Sequence, residues 1–92
     1  MSELVRKHIV FSGWVQGVGF RYRARNAAEH FGATGWVKNE YDGTVTMEIQ
    51  GTERQIDQVI QAIEKGSFVR IENMNVRDLP VRDDEYSFSY EF

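Results

Sequence analysis

The residues best able to do chemistry stand together in Gly13-Trp14-Val15-Gln16-Gly17-Val18-Gly19-Phe20-Arg21. The glycines leave backbone N–H groups accessible, and an apolar helical stripe begins at Phe20. A helix start carries unpaired N–H donors and a partial positive charge. Joined to a glycine-bearing loop, it makes an anion site of phosphate size. Arg21 adds a guanidinium that can grip two phosphate oxygens at once. The segment is not a Walker A loop, because it lacks the Gly-Lys-Ser/Thr ending. Nor is it a dinucleotide fingerprint, with only two glycines in the loop from Gln16 to Arg21 and no acidic residue to close the site. On chemistry alone, a flexible turn followed by a surface arginine explains the segment equally well.

The elements around this loop decide what can face it. Val5 to Trp14 is β-branched, with weak period-two patterning, and reads as a strand. Phe20, Ala24, Ala27, Ala28 and Phe31 form one helical stripe, ended by Gly32. A second strand, about Thr34 to Glu40, leads into the turn Tyr41-Asp42-Gly43. Val45, Met47 and Ile49 alternate with Thr44, Thr46, Glu48 and Gln50 in a third strand. Thr52-Glu53-Arg54-Gln55 fits a capping box, opening a helix with Ile56, Val59, Ile60 and Ile63 on its buried face and Gly66 at its end. A fourth strand, around Val69 to Arg77, slips in alternation between Ile71 and Met74, which predicts a bulge. Tyr86, Phe88, Tyr90 and Phe92 alternate with polar residues in a last strand.

This order predicts an α+β, ferredoxin-like split βαβ sandwich: βαββαβ plus a C-terminal strand, with two helices on one face of a mainly antiparallel sheet. A right-handed crossover makes the first two strands parallel, and the usual order puts the third between them. The loop after strand one and the end of strand two then share a sheet edge, on the order of 10 Å apart. Arg21 and Asn39 occupy those two places and can converge on one small ligand.

The 92 residues fit a single domain, 1–92, with 41% hydrophobic residues for its core. Without cysteine there is no disulfide, thiolate metal site or cysteine nucleophile. A reducing, cytoplasmic setting fits, and Met1 to His8 lack the apolar core of a signal peptide. No apolar run reaches membrane-spanning length, so no membrane partner is expected. A net charge of −3 counts against nucleic-acid binding.

Val15-Gln16-Gly17-Val18-Gly19-Phe20-Arg21, Gly35-Trp36-Val37-Lys38-Asn39 and Asp42-Gly43-Thr44-Val45 together resemble the acylphosphatase family, and the match runs from strand one to Tyr86-Ser87-Phe88-Ser89-Tyr90. The resemblance implies a ferredoxin-like fold and metal-independent hydrolysis of the carboxyl–phosphate bond of acyl phosphates, with no cofactor. It implies that Arg21 and the loop amides of Gln16, Gly17, Val18, Gly19 and Phe20 bind the phosphoryl group, that Asn39 holds the attacking water, and that inorganic phosphate, the product, also inhibits. The alternative is a non-catalytic anion-binding or interaction module of the same fold. Three positions depart from the family pattern: Phe68 where many members have proline, Glu91 where some are basic, and Glu40 beside Asn39.

The remaining candidates have plainer readings. His8 and His30 lie away from the loop and read as partly exposed structural residues. Arg23, Arg25 and Lys38 read as surface charges, the two arginines with a lesser reading as steering groups for an anion. The aromatic stripe of the last strand suits a half-buried edge strand better than a base-stacking platform. Asp83, Asp84 and Glu85 read as a solvated loop. A monomer is expected.

Overall fold

The computed structural model describes residues 3–92. Its elements are β1 (Val5–Trp14), α1 (Phe20–Phe31), β2 (Thr34–Asn39), β3 (Val45–Gly51), α2 (Glu53–Glu64), β4 (Arg70–Leu79) and β5 (Phe88–Glu91). The strands form one sheet in the order β4-β1-β3-β2-β5. β1 and β2 each pair antiparallel with β3, so they run parallel to one another, with β3 between them. Among the described residues, only β5, against β2, pairs in parallel. This is the ferredoxin-like arrangement the element order predicts, with one added edge strand.

The helices form where local chemistry asks for them. Thr52 accepts from the Gln55 N–H at 3.1 Å while the Gln55 side chain accepts from the Thr52 N–H at 2.8 Å, so α2 opens on a complete capping box. Ile56, Val59 and Ile63 face the sheet and are fully buried. On α1 the buried residues are Phe20, Ala24, Ala27 and Ala28; three alanines in a row of contacts let the helix lie close over β2 and β5. Against them stand Ile9, Phe11, Val37, Val45, Met47, Ile49 and Phe88. Phe11, near the end of β1, meets Phe20 edge to face at 4.9 Å. That pair fixes both ends of the glycine loop to the core and is worth about 1 kcal/mol beyond its buried area.

The predicted bulge is present: Ser12 pairs with Asn73 and Gly13 with Ile71, which leaves Glu72 unpaired. Strand limits differ by a residue or two from those the patterning suggests, most at β4, which continues to Leu79. The C-terminal stripe differs more. Phe88 is buried and Tyr90 half-buried, but Tyr86 and Phe92 stand out in solvent. β5 is only four residues long, and its two outer aromatics lie beyond the stretch that pairs with β2.

The acidic run also corrects its sequence reading. β4 and β5 are opposite edges of the sheet, so the connection between them must cross its helix-free face. Residues 80–87 make that crossing as a strap. Gln50 donates to the Arg82 carbonyl at 2.8 Å and accepts from its N–H at 2.9 Å. Glu85 is tucked against the sheet, taking both guanidinium nitrogens of Arg6 at 2.7 and 3.1 Å and the Thr34 hydroxyl at 2.8 Å. Arg6, 1% exposed, also donates to Glu48 at 3.2 Å, which in turn pairs with His8 at 2.8 Å. Burial works to raise the Glu48 carboxyl, but hydrogen bonds from His8 and Arg6 and the Arg6 charge outweigh it and hold its pKa below the ordinary value.

Candidate active site

Gly17 and Gly19 both adopt left-handed backbone, with φ of 72° and 81°. A Cβ at either would meet nothing within 4 Å. These glycines are therefore needed for backbone shape rather than for close packing. Gly19 is also the N-cap of α1. It supplies no side-chain cap, and the first turn carries no acidic residue. The first helical backbone bond is Arg23 N–H to the Gly19 carbonyl at 3.0 Å. The amides before it lack an intrahelical partner, and the helix dipole adds positive potential there. The contrast with α2 is informative: one helix satisfies its own first turn, and the other leaves it open to an anion.

Gly17, Gly19, Phe20, Arg21 and Asn39 line a single cavity of about 320 Å³, together with Val15, Tyr22, Tyr90 and Phe92. The two halves predicted to converge do converge. Asn39 ends β2 on the same side as Val37, facing the helices, while its neighbours Lys38 and Glu40 alternate to the other side. Its Oδ1 is buried and has no hydrogen-bond partner among the described residues. Such an acceptor is costly to leave unpaired and is suited to hold a water or a substrate proton donor.

Two of the predicted loop residues sit differently. The Gln16 side chain does not face the cavity. Its amide donates to the carbonyls of Glu40 and Thr44 at 2.7 and 2.8 Å, stitching the glycine loop to the β2–β3 turn next to Asn39. Val18 packs partly buried against the core. Any contribution these two make to an anion is through the backbone. The turn itself is stiffened by Asp42, which accepts from the Thr44 hydroxyl at 2.7 Å and its N–H at 3.0 Å; those bonds hold the Asp42 carboxyl below its usual pKa.

The wall formed by Tyr22, Tyr90 and Phe92 was not legible from the loop motif. Arg21 lies over the rings of Tyr90 and Phe92, 5.9 and 5.8 Å from their centroids. Arg25 also lies over the Tyr90 ring, 5.3 Å from its centroid, and pairs with Glu29 at 3.0 Å. The rings give Arg21 an apolar bed that limits its rotamers and leaves its donors free for a ligand. The aromatic alternation marked these residues, but only the parallel pairing of β5 with β2 carries them to the cavity. Among the described residues, no three His, Asp or Glu side chains gather to hold a metal ion, and no helix is long and apolar enough to cross a membrane.

Fold and site define a class: a ferredoxin-like α+β protein with a glycine loop and an open helix start on one side of a cavity and a polar side chain facing it from the next parallel strand. The family model described as Acylphosphatase matches residues 7–90. The chain is 44% identical over 84 residues to an acylphosphatase of Geobacillus kaustophilus, covering 90% of this chain and 89% of that one. It superposes on the crystal structure of the Bacillus subtilis acylphosphatase with a TM-score of 0.86 at 30% identity, over 96% and 99% of the two chains. The chain belongs to the acylphosphatase family. It also matches full-length HypF, in the phosphate- and nucleotide-bound form, with a TM-score of 0.85 at 29% identity, where it covers 12% of that chain.

Proposed function

We propose that this acyl phosphate hydrolase works through the Gln16–Arg21 loop and Asn39, as one domain. The phosphoryl group sits on the loop amides and the open start of α1, with two of its oxygens gripped by Arg21. Asn39 Oδ1 accepts a hydrogen bond from the attacking water and holds it in line with the bond to be broken. Phosphoryl transfer needs placement and stabilisation of equatorial oxygen charge more than covalent help. Arg21 and the helix start supply that charge, so the reaction runs without a metal. The leaving carboxylate is a weak base and needs no general acid. The proton of the water goes to a phosphate oxygen, because an amide is no base. The observation that carries this reading is the buried, unpartnered acceptor of Asn39 in the same cavity as Arg21.

The substrate is a small acyl phosphate, and the chain acts as a cytoplasmic monomer. The match to a small part of HypF keeps a binding-module reading in view, and one assay separates the two. Phosphate release from an acyl phosphate is followed with a chelator present, for wild type and Arg21→Ala. Turnover that survives chelation and is lost in the variant supports the reading. A folded wild type that binds inorganic phosphate but releases none from substrate leaves the module.

A further inference from the structure

Arg21 and Arg25 stand about one helical turn apart on the same face of α1. Side chains at that spacing are neighbours, and like charges there repel. Here both guanidinium groups lie over one ring. The Cζ of Arg21 is 5.9 Å and that of Arg25 5.3 Å from the centroid of Tyr90, which the β2–β5 pairing sets opposite Val37. Arg21 also lies over Phe92, at 5.8 Å. Arg25 is tethered in turn by Glu29, one turn further along the helix, which accepts from its Nε at 3.0 Å. Arg25 does not line the cavity that holds Arg21 and Asn39.

Long side chains on a helix lean toward its N-terminus and cover the turn before their own Cα. Arg25 therefore covers the turn that begins at Arg21 and brings a positive charge to it. The space C-terminal to Arg21 is filled by a group of its own sign, and the direction left open runs toward Gly19 and the unpaired amides. From this arrangement, and resting on the hydrolase reading above, we propose that Arg25 is a positioning residue: stacked on Tyr90 and tethered by Glu29, it aims the Arg21 guanidinium into the cavity. It touches no substrate and acts through Arg21. Rotamer freedom that Arg21 would lose on gripping the phosphoryl group is removed beforehand, so the donors stand ready where charge develops. Steering by a surface cation behaves differently. It speeds encounter and fades with salt, whereas aiming acts in the bound complex and persists at saturating substrate.

The test uses wild type, Arg25→Gln, Arg25→Lys and Glu29→Gln. Arg25 and Glu29 are 48% and 56% exposed, so the variants should fold, and circular dichroism checks this. Acetyl phosphate hydrolysis is measured at low salt and in about 0.5 M potassium chloride, where surface charges are screened. The Arg21 Nε–Hε resonance is followed by NMR as inorganic phosphate is added. In Arg25→Gln, kcat should fall about fivefold at both salt concentrations, and the Arg21 resonance with phosphate should broaden or move toward its phosphate-free position. Arg25→Lys, which keeps a cation over the ring, should recover most of the loss. Glu29→Gln should lose less than Arg25→Gln, because the ring contact remains. A loss confined to kcat/KM and abolished by salt would make Arg25 a steering charge and overturn the proposal. An unchanged kcat with a wild-type Arg21 resonance in Arg25→Gln would overturn it as well. A wild type that releases no phosphate would remove the hydrolase reading, while the Arg21 resonance would still decide the positioning claim.

Discussion

Glu85→Ala tests whether the strap is a structural clamp or a solvated loop. Arg6 is 1% exposed and Glu85 12%. The substitution removes two charge-assisted bonds to the guanidinium and the acceptor of the Thr34 hydroxyl. Breaking a buried ion pair from one side costs about 3–5 kcal/mol, because the remaining charge loses its compensation. Glu48 still faces Arg6 at 3.2 Å, which places the expected loss at the low end, about 3 kcal/mol. For a domain of this size each kcal/mol moves Tm by about 4–8 °C, so the drop should be roughly 12–24 °C. Glu85→Gln keeps an acceptor for Thr34 and one guanidinium nitrogen and should lose about half as much. Thermal and urea unfolding at pH 7, followed by tryptophan fluorescence and circular dichroism, measure both. An unchanged urea m-value would show that the native state, and not the denatured one, has been altered. A drop of less than about 4 °C in Glu85→Ala would refute the reasoning and return residues 83–85 to the status of a solvated loop.

Four shorter tests address the site and its frame. Under the proposed mechanism, Asn39→Ala should cut kcat by roughly 100-fold or more while inorganic phosphate still inhibits at nearly the wild-type concentration, since that mechanism assigns the water to Asn39 and the phosphate to the loop and Arg21. Arg21→Lys should lose most of the activity, because a point charge on a flexible stem does not replace a planar two-pronged donor, and competition by phosphate should weaken in parallel. Gln16→Ala leaves the Glu40 and Thr44 carbonyls without their side-chain donor; a loss of about 1–3 kcal/mol in urea unfolding, with reduced kcat, is expected. The Glu48 carboxyl has a folded-state pKa below its unfolded one, so its contribution is complete above the unfolded value of about 4.3 and disappears as pH falls through the folded value. Urea unfolding of wild type should therefore lose stability below about pH 4, and Glu48→Gln should be weaker at pH 7 and show a shallower acid limb.

Much of this protein follows from local chemistry that a sequence displays directly. The period-two and period-3.6 patterns of β3, α1 and α2, the Thr52–Gln55 cap and the left-handed glycines of the loop are all effects of neighbouring residues on one another. So is the placement of Arg21 directly after a glycine-bearing loop. Even the meeting of Arg21 with Asn39 follows from the handedness of one crossover, a rule that depends on chain chirality and not on side chains. What tertiary structure alone decided involves residues distant in sequence and ambiguous in type. Glu85 belongs to an acidic run that local patterning assigns to solvent, and only the need to connect opposite edges of the sheet brings it to Arg6, 79 positions away. Gln16 sits inside the loop motif, yet its side chain serves the β2–β3 turn. Tyr90 and Phe92 carry a pattern that any edge strand would show, and the pairing of β5 beside β2 makes them the bed of Arg21. In each case the side chain's role is set by the partner it meets across the sheet, and that partner is fixed by strand order, which a local pattern does not encode.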